Sequence, residues 1–92
     1  MIELVATVTG TVQGVRYRAY VESSAVKLGL VGSVQNMSDG SVRVVAQGLP
    51  DVLKEFVEYL HEGSLLSRVE GVAVEWSEIR SPLYDFSIIS SV

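Results

Sequence analysis

The chain has 92 residues, one histidine, no cysteine and a formal net charge of −4, and 48% of its residues are hydrophobic. A chain this short folds around one core and spends most of its apolar residues filling it, so a single domain over 1–92 is expected. The lack of cysteine excludes a disulfide framework, a thiolate nucleophile and a sulfur-ligated zinc site, while the acidic balance opposes a nucleic-acid backbone as partner.

The start, Met1-Ile2-Glu3-Leu4, has neither the basic region nor the apolar run of a secretory leader. No window approaches the roughly 18 apolar residues of a membrane span, so a cytoplasmic protein is expected. Ile2–Thr9 alternates, with Ile2, Leu4, Ala6 and Val8 on one side and Glu3, Val5, Thr7 and Thr9 on the other, which is the pattern of a strand with one buried face. Gly10 to Val15 breaks the alternation with two glycines. From about Arg18 to Leu28, Tyr17, Tyr20, Val21, Ala25 and Leu28 recur at helical spacing, and Gly29 supplies a stop.

Leu30–Met37 and Ser41–Gln47 read as two further strands, joined by Ser38-Asp39-Gly40, residues that tolerate the positive φ of a tight hairpin. Pro50–Glu62 reads as a second helix, with proline and Asp51 suited to its first turn and an apolar stripe of Leu53, Phe56, Val57 and Leu60. Val69–Glu78 alternates again, placing Val72, Val74 and Trp76 opposite Ala73 and Glu75. A short strand around Asp85–Ile89 ends the pattern, with Phe86 and Ile88 on one face.

The order is βαββαβ plus a short terminal strand. Each helix links two parallel strands with room for another between them, and right-handed crossovers put both helices on one face. The expected architecture is therefore a ferredoxin-like α+β sandwich with an antiparallel sheet. Thr7, Arg43 and Glu75 would then lie on its open face.

The stretch Gly10 to Arg18 joins a strand to a helix amino terminus, where N–H groups lack partners and the helix dipole adds positive charge. Gly14 permits close backbone approach, consecutive N–H groups can curl into an anion-binding nest, and Arg18 adds a planar fork matched to phosphate oxygens. Taken alone, such a loop is compatible with a plain turn as well as with an anion site. It lacks the Gly-Lys-Ser/Thr ending of a nucleotide loop and the spacing of a dinucleotide fingerprint.

Gly10-Thr11-Val12-Gln13-Gly14-Val15-Arg16-Tyr17-Arg18 resembles the acylphosphatase signature G-x-V-Q-G-V-x-[FY]-R. Leu28-Gly29-Leu30-Val31-Gly32-Ser33-Val34-Gln35-Asn36-Met37-Ser38-Asp39-Gly40 resembles that family's L-G-L-x-G-x-V-x-N-x-x-D-G. Two ungapped motifs at the family's separation are far more specific than either alone, and the resemblance spans essentially the whole chain. It implies hydrolysis of carboxyl-phosphate anhydrides. Gln13, Gly14, Val15, Arg16, Tyr17 and Arg18 would form the phosphate cradle, with Arg18 the principal cation and Asn36 orienting the attacking water. It implies no metal and no cofactor, and a small-molecule acyl phosphate as the substrate; a monomer is the expectation, with the oligomeric state left open by the residues.

The chain departs from the family pattern at Ser33, where many relatives have tryptophan, and at Tyr17, which replaces the commoner phenylalanine. It is acidic where many relatives are basic, and Ser90-Ser91-Val92 lacks an aromatic close. His61 near the end of the second helix reads as a solvated or capping residue. Glu55, Glu58 and Glu62 share an exposed helix face with Asp51 rather than forming a catalytic pair.

Overall fold

Alternation in the first strand sets the architecture, because its apolar side has to be covered on both flanks and from above. The computed structural model describes residues 1–90. These form β1 (Ile2–Thr11), α1 (Tyr17–Lys27), β2 (Val31–Asn36), β3 (Val42–Gly48), α2 (Pro50–Glu62), β4 (Arg68–Ser77) and β5 (Phe86–Ile89). The strands make one sheet in the order β4-β1-β3-β2-β5. β1 lies antiparallel to β3 and β4, and β2 antiparallel to β3, so each helix crosses over one intervening strand as expected. The terminal strand differs from its neighbours: β5 pairs in parallel with β2, which makes the sheet mixed.

The register puts Leu4 opposite Ala46, Ala6 opposite Val44 and Val8 opposite Val42, with Val34 of β2 opposite Val44. All of these are fully buried, under Tyr17, Val21 and Ala25 of α1 and Leu53, Phe56 and Leu60 of α2. Burial of each large apolar side chain contributes about 1.5–3 kcal/mol. Phe86 completes the core at the β5 edge, its ring edge-on to that of Phe56 at 6.3 Å between centroids. The two helices are also joined by hydrogen bonds, since the Tyr17 hydroxyl donates to the Leu60 carbonyl at 2.8 Å and the Tyr20 hydroxyl to that of Tyr59 at 2.7 Å. Thr7, Arg43 and Glu75 lie on the open face.

Two features depart from the periodicity. β1 continues past Thr9 because Gly10 is a bulge rather than a break: pairing with β4 shifts register there and resumes as Gly10 opposite Val69 and Thr11 opposite Arg68. Gly10 has φ 123°, and a Cβ would collide with the Arg68 carbonyl, so glycine is required. Trp76 shares the inward side of the alternation but is 45% exposed, since it sits near the end of an edge strand whose last residues are all open to solvent.

The connection from β4 to β5 carries the chain from one edge of the sheet to the other. Gln47, only 3% exposed, fastens it. Its Nε2 donates to Glu3 Oε1 at 2.9 Å and to the Ser81 carbonyl at 3.0 Å, and its Oε1 accepts from the Leu83 N–H at 2.9 Å. A buried amide with its hydrogen-bonding capacity used in this way is well matched to its surroundings. Among the described residues, no helix is long and apolar enough to cross a membrane.

Candidate active site

The loop that follows β1 gains its shape from two residues of left-handed backbone. Gly14 has φ 73°, and Arg16 has φ 62° and ψ 22°. The conformation is free to glycine but costs an ordinary residue about 1–2 kcal/mol. Alternation of handedness along a short loop turns successive N–H groups toward a common centre. Arg16 is also the N-cap of α1, and its side chain makes no capping bond. Among the described residues, the N–H groups of Gly14 to Ala19 have no hydrogen-bond acceptor. They are left for a ligand, at the positive end of the helix dipole.

A cavity of about 210 Å³ opens on this loop. Gly14, Arg16, Tyr17 and Arg18 line one side of it with Val12 and Ala19, and Asn36 from β2 and Ile88 from β5 close the other. The two motifs therefore meet in space. Arg18, half-buried in the first turn of α1, donates through one terminal nitrogen to the Ile89 carbonyl at 3.2 Å. Among the described residues no other acceptor takes up the remaining guanidinium donors, which can serve an anion. The Asn36 Oδ1 is buried and, among the described residues, has no hydrogen-bond partner. An acceptor held in that state at a cavity wall is ready for a donor that arrives with a ligand.

Tyr17 packs fully buried beneath the loop. Its phenol is pushed well above its ordinary pKa by burial, with a smaller contribution from neighbouring Tyr20, so it stays protonated and committed to the Leu60 carbonyl. Among the described residues lining the cavity there is no carboxylate and no imidazole.

The remaining loop residues have other positions. The Gln13 side chain is outside the cavity wall: its Nε2 donates to the carbonyls of Met37 and Ser41, both at 2.8 Å. It thereby ties the loop to the β2–β3 hairpin, one residue past Asn36. The hairpin is stiffened by Asp39, whose Oδ1 accepts from the Ser41 hydroxyl at 2.6 Å and N–H at 2.9 Å; these bonds hold its carboxyl below the usual aspartate range. The Val15 carbonyl accepts from the Ser64 hydroxyl at 3.2 Å. His61, Glu55, Glu58 and Glu62 are exposed on α2, away from the cavity.

Ile88 and the Ile89 carbonyl are site components that residue types do not reveal. Ile88 reads as an ordinary core-facing strand residue, and a carbonyl is common to every residue, so only the parallel pairing of β5 with β2 brings them to Arg18.

The family model described as Acylphosphatase matches residues 4–88. An acylphosphatase of Thermus thermophilus is 49% identical over 78 residues, covering 85% of this chain and 89% of that protein. One from Methanococcoides burtonii is 43% identical over 81 residues, covering 88% and 84%. The crystal structure of acylphosphatase from Bacillus subtilis superposes with a TM-score of 0.94 at 37% identity, covering 97% of this chain and 99% of that one.

Proposed function

The chain belongs to the acylphosphatase family, and from that membership we propose that Arg18 holds the substrate phosphate while Asn36 places the attacking water. The protein is an enzyme that hydrolyses acyl phosphates. One observation carries the residue assignment: Asn36 lines the same cavity as Arg18 and the loop with unpaired N–H groups, and its Oδ1 is buried with no hydrogen-bond partner among the described residues.

An acyl phosphate has a carboxylate leaving group, and its phosphoryl transfer runs through a loose transition state with charge spread over the equatorial oxygens. The N–H groups from Gly14 onward and the Arg18 fork are complementary to that charge. One preorganised donor of this kind is worth about 3–4 kcal/mol, and good positioning up to about 7–11 kcal/mol. Asn36 accepts a hydrogen bond from water through Oδ1 and sets its oxygen toward phosphorus. As the new P–O bond forms, the bond from phosphorus to the acyl oxygen breaks and its electron pair leaves on the carboxylate.

The proton of the water passes to a phosphate oxygen. Asn36 has no basic lone pair to receive it, and Tyr17 keeps its own proton. A pH–rate profile that required an enzyme group with a carboxylate-like or histidine-like pKa would replace this step with a protein base. The proposal extends to a monomer working in the cytoplasm, which gel filtration and fractionation test.

Hydrolysis of acetyl phosphate, with a metal chelator present, tests the assignment. Arg18→Lys keeps the charge and loses the bidentate fork, so turnover falls about 10²–10³-fold. Asn36→Ala lowers kcat by a similar factor, with competitive inhibition by inorganic phosphate left within about twofold. If phosphate inhibition weakened in step with kcat, Asn36 would be a phosphate ligand instead.

A further inference from the structure

The geometry points to a second recess beside the phosphate cavity as the subsite for the acyl portion of the substrate, one that favours apolar acyl groups larger than acetyl. This inference rests on the reading of the loop as the phosphate cradle. The recess measures about 650 Å³ and shares Arg16 and Ala19 with the phosphate cavity, so the two are neighbours across one wall. Beyond that wall lie Tyr20 and the turn residues Ser64, Leu65 and Leu66.

The turn is joined to the cradle rather than loose beside it. The Ser64 hydroxyl donates to the Val15 carbonyl at 3.2 Å, and the Ser64 carbonyl accepts from the Ser67 N–H at 3.1 Å and hydroxyl at 2.9 Å. What the turn presents is two consecutive leucines, 98% and 69% exposed. Adjacent leucines held open to water beside a binding cavity form an apolar surface that gains when something covers it.

The chemistry of the reaction indicates what covers it. In-line displacement puts the leaving carboxylate on the side of phosphorus away from the attacking water. Asn36 and Ile88 come from the sheet, whereas Arg16 and Ala19 come from the loop and α1. The leaving group therefore points away from Asn36, toward the side lined by Arg16 and Ala19, and the leucine-lined recess adjoins that side. An acetyl group ends at the wall. A longer acyl chain passes it and lies against Tyr20, Leu65 and Leu66.

The experiment compares kcat/KM for acetyl phosphate and hexanoyl phosphate, whose leaving carboxylates are of nearly equal basicity, in the parent and in the Leu65→Ser/Leu66→Ser double variant. Half-burial of the four added methylenes corresponds to a hexanoyl-to-acetyl ratio of about ten in the parent. The double variant brings the ratio close to one, and a Leu65→Met/Leu66→Met variant restores it. A parent ratio near one, or a ratio that the serine substitutions leave in place, overturns the subsite. Both leucines are exposed in a turn, and thermal unfolding establishes that the variants remain folded. Failure of the underlying phosphate assignment has a different signature: Arg18→Ala would then hydrolyse acetyl phosphate as well as the parent does.

Discussion

Burying the Oδ1 of Asn36 without a donor withholds about 1–3 kcal/mol from the folded state. An amide kept in this condition at a cavity wall is stabilised only when a ligand supplies a hydrogen atom. The Asn36→Ala enzyme is therefore expected to be at least as resistant to urea as the parent while turning over far more slowly, a separation of stability from activity read by paired unfolding and rate measurements. Arg16 makes a similar trade in its backbone. Its left-handed conformation costs about 1–2 kcal/mol, of which glycine would return roughly half after its own entropy in the unfolded chain is counted. Arg16→Gly should raise the urea midpoint by the equivalent of about 0.5–1 kcal/mol.

Elements hold these residues in register through a clamp that residue chemistry alone leaves unspecified. Gln13 spans from the loop to the β2–β3 hairpin with two hydrogen bonds from one nitrogen. Gln13→Ala removes both, and a loss of about 1–2 kcal/mol in stability with a drop of about tenfold in kcat is expected. Gln13→Glu places carboxylate oxygens against two carbonyls and should be worse than alanine in the same assays. The motifs single out Arg18 and Asn36, which line one cavity, and α2 runs over the residues its proline, acidic first turn and apolar stripe indicate. The clamp is not, because the partners of Gln13 are main-chain carbonyls whose positions depend on how β2 and β3 pair. The extension of β1 through Gly10 and the exposure of Trp76 escape the pattern for related reasons. A bulge is decided by the partner strand, and burial at a sheet edge by how far the covering helix reaches.

Across the whole molecule, Gln47 connects the fold to the site at a distance. It fastens the connection that carries the chain to β5, and β5 supplies both Ile88 in the cavity wall and the carbonyl that holds Arg18. Gln47→Leu leaves the Leu83 N–H and the Ser81 carbonyl unpaired, which should cost about 2–3 kcal/mol. Because β5 loosens with it, inhibition by inorganic phosphate should weaken even under conditions where the variant is fully folded. Calorimetry and inhibition assays on the same sample check both effects, and unchanged phosphate affinity would uncouple Arg18 from β5.

The bond from Arg18 to the Ile89 carbonyl also has a meaning in time. The two residues are 71 positions apart, and the ribosome delivers them in that order. A nascent chain has made its entire phosphate loop and both helices while the guanidinium still lacks its anchor. Only when β5 has been made and adds to the sheet beside β2 does the arginine gain this anchor, so the loop is braced by a strand made long after it.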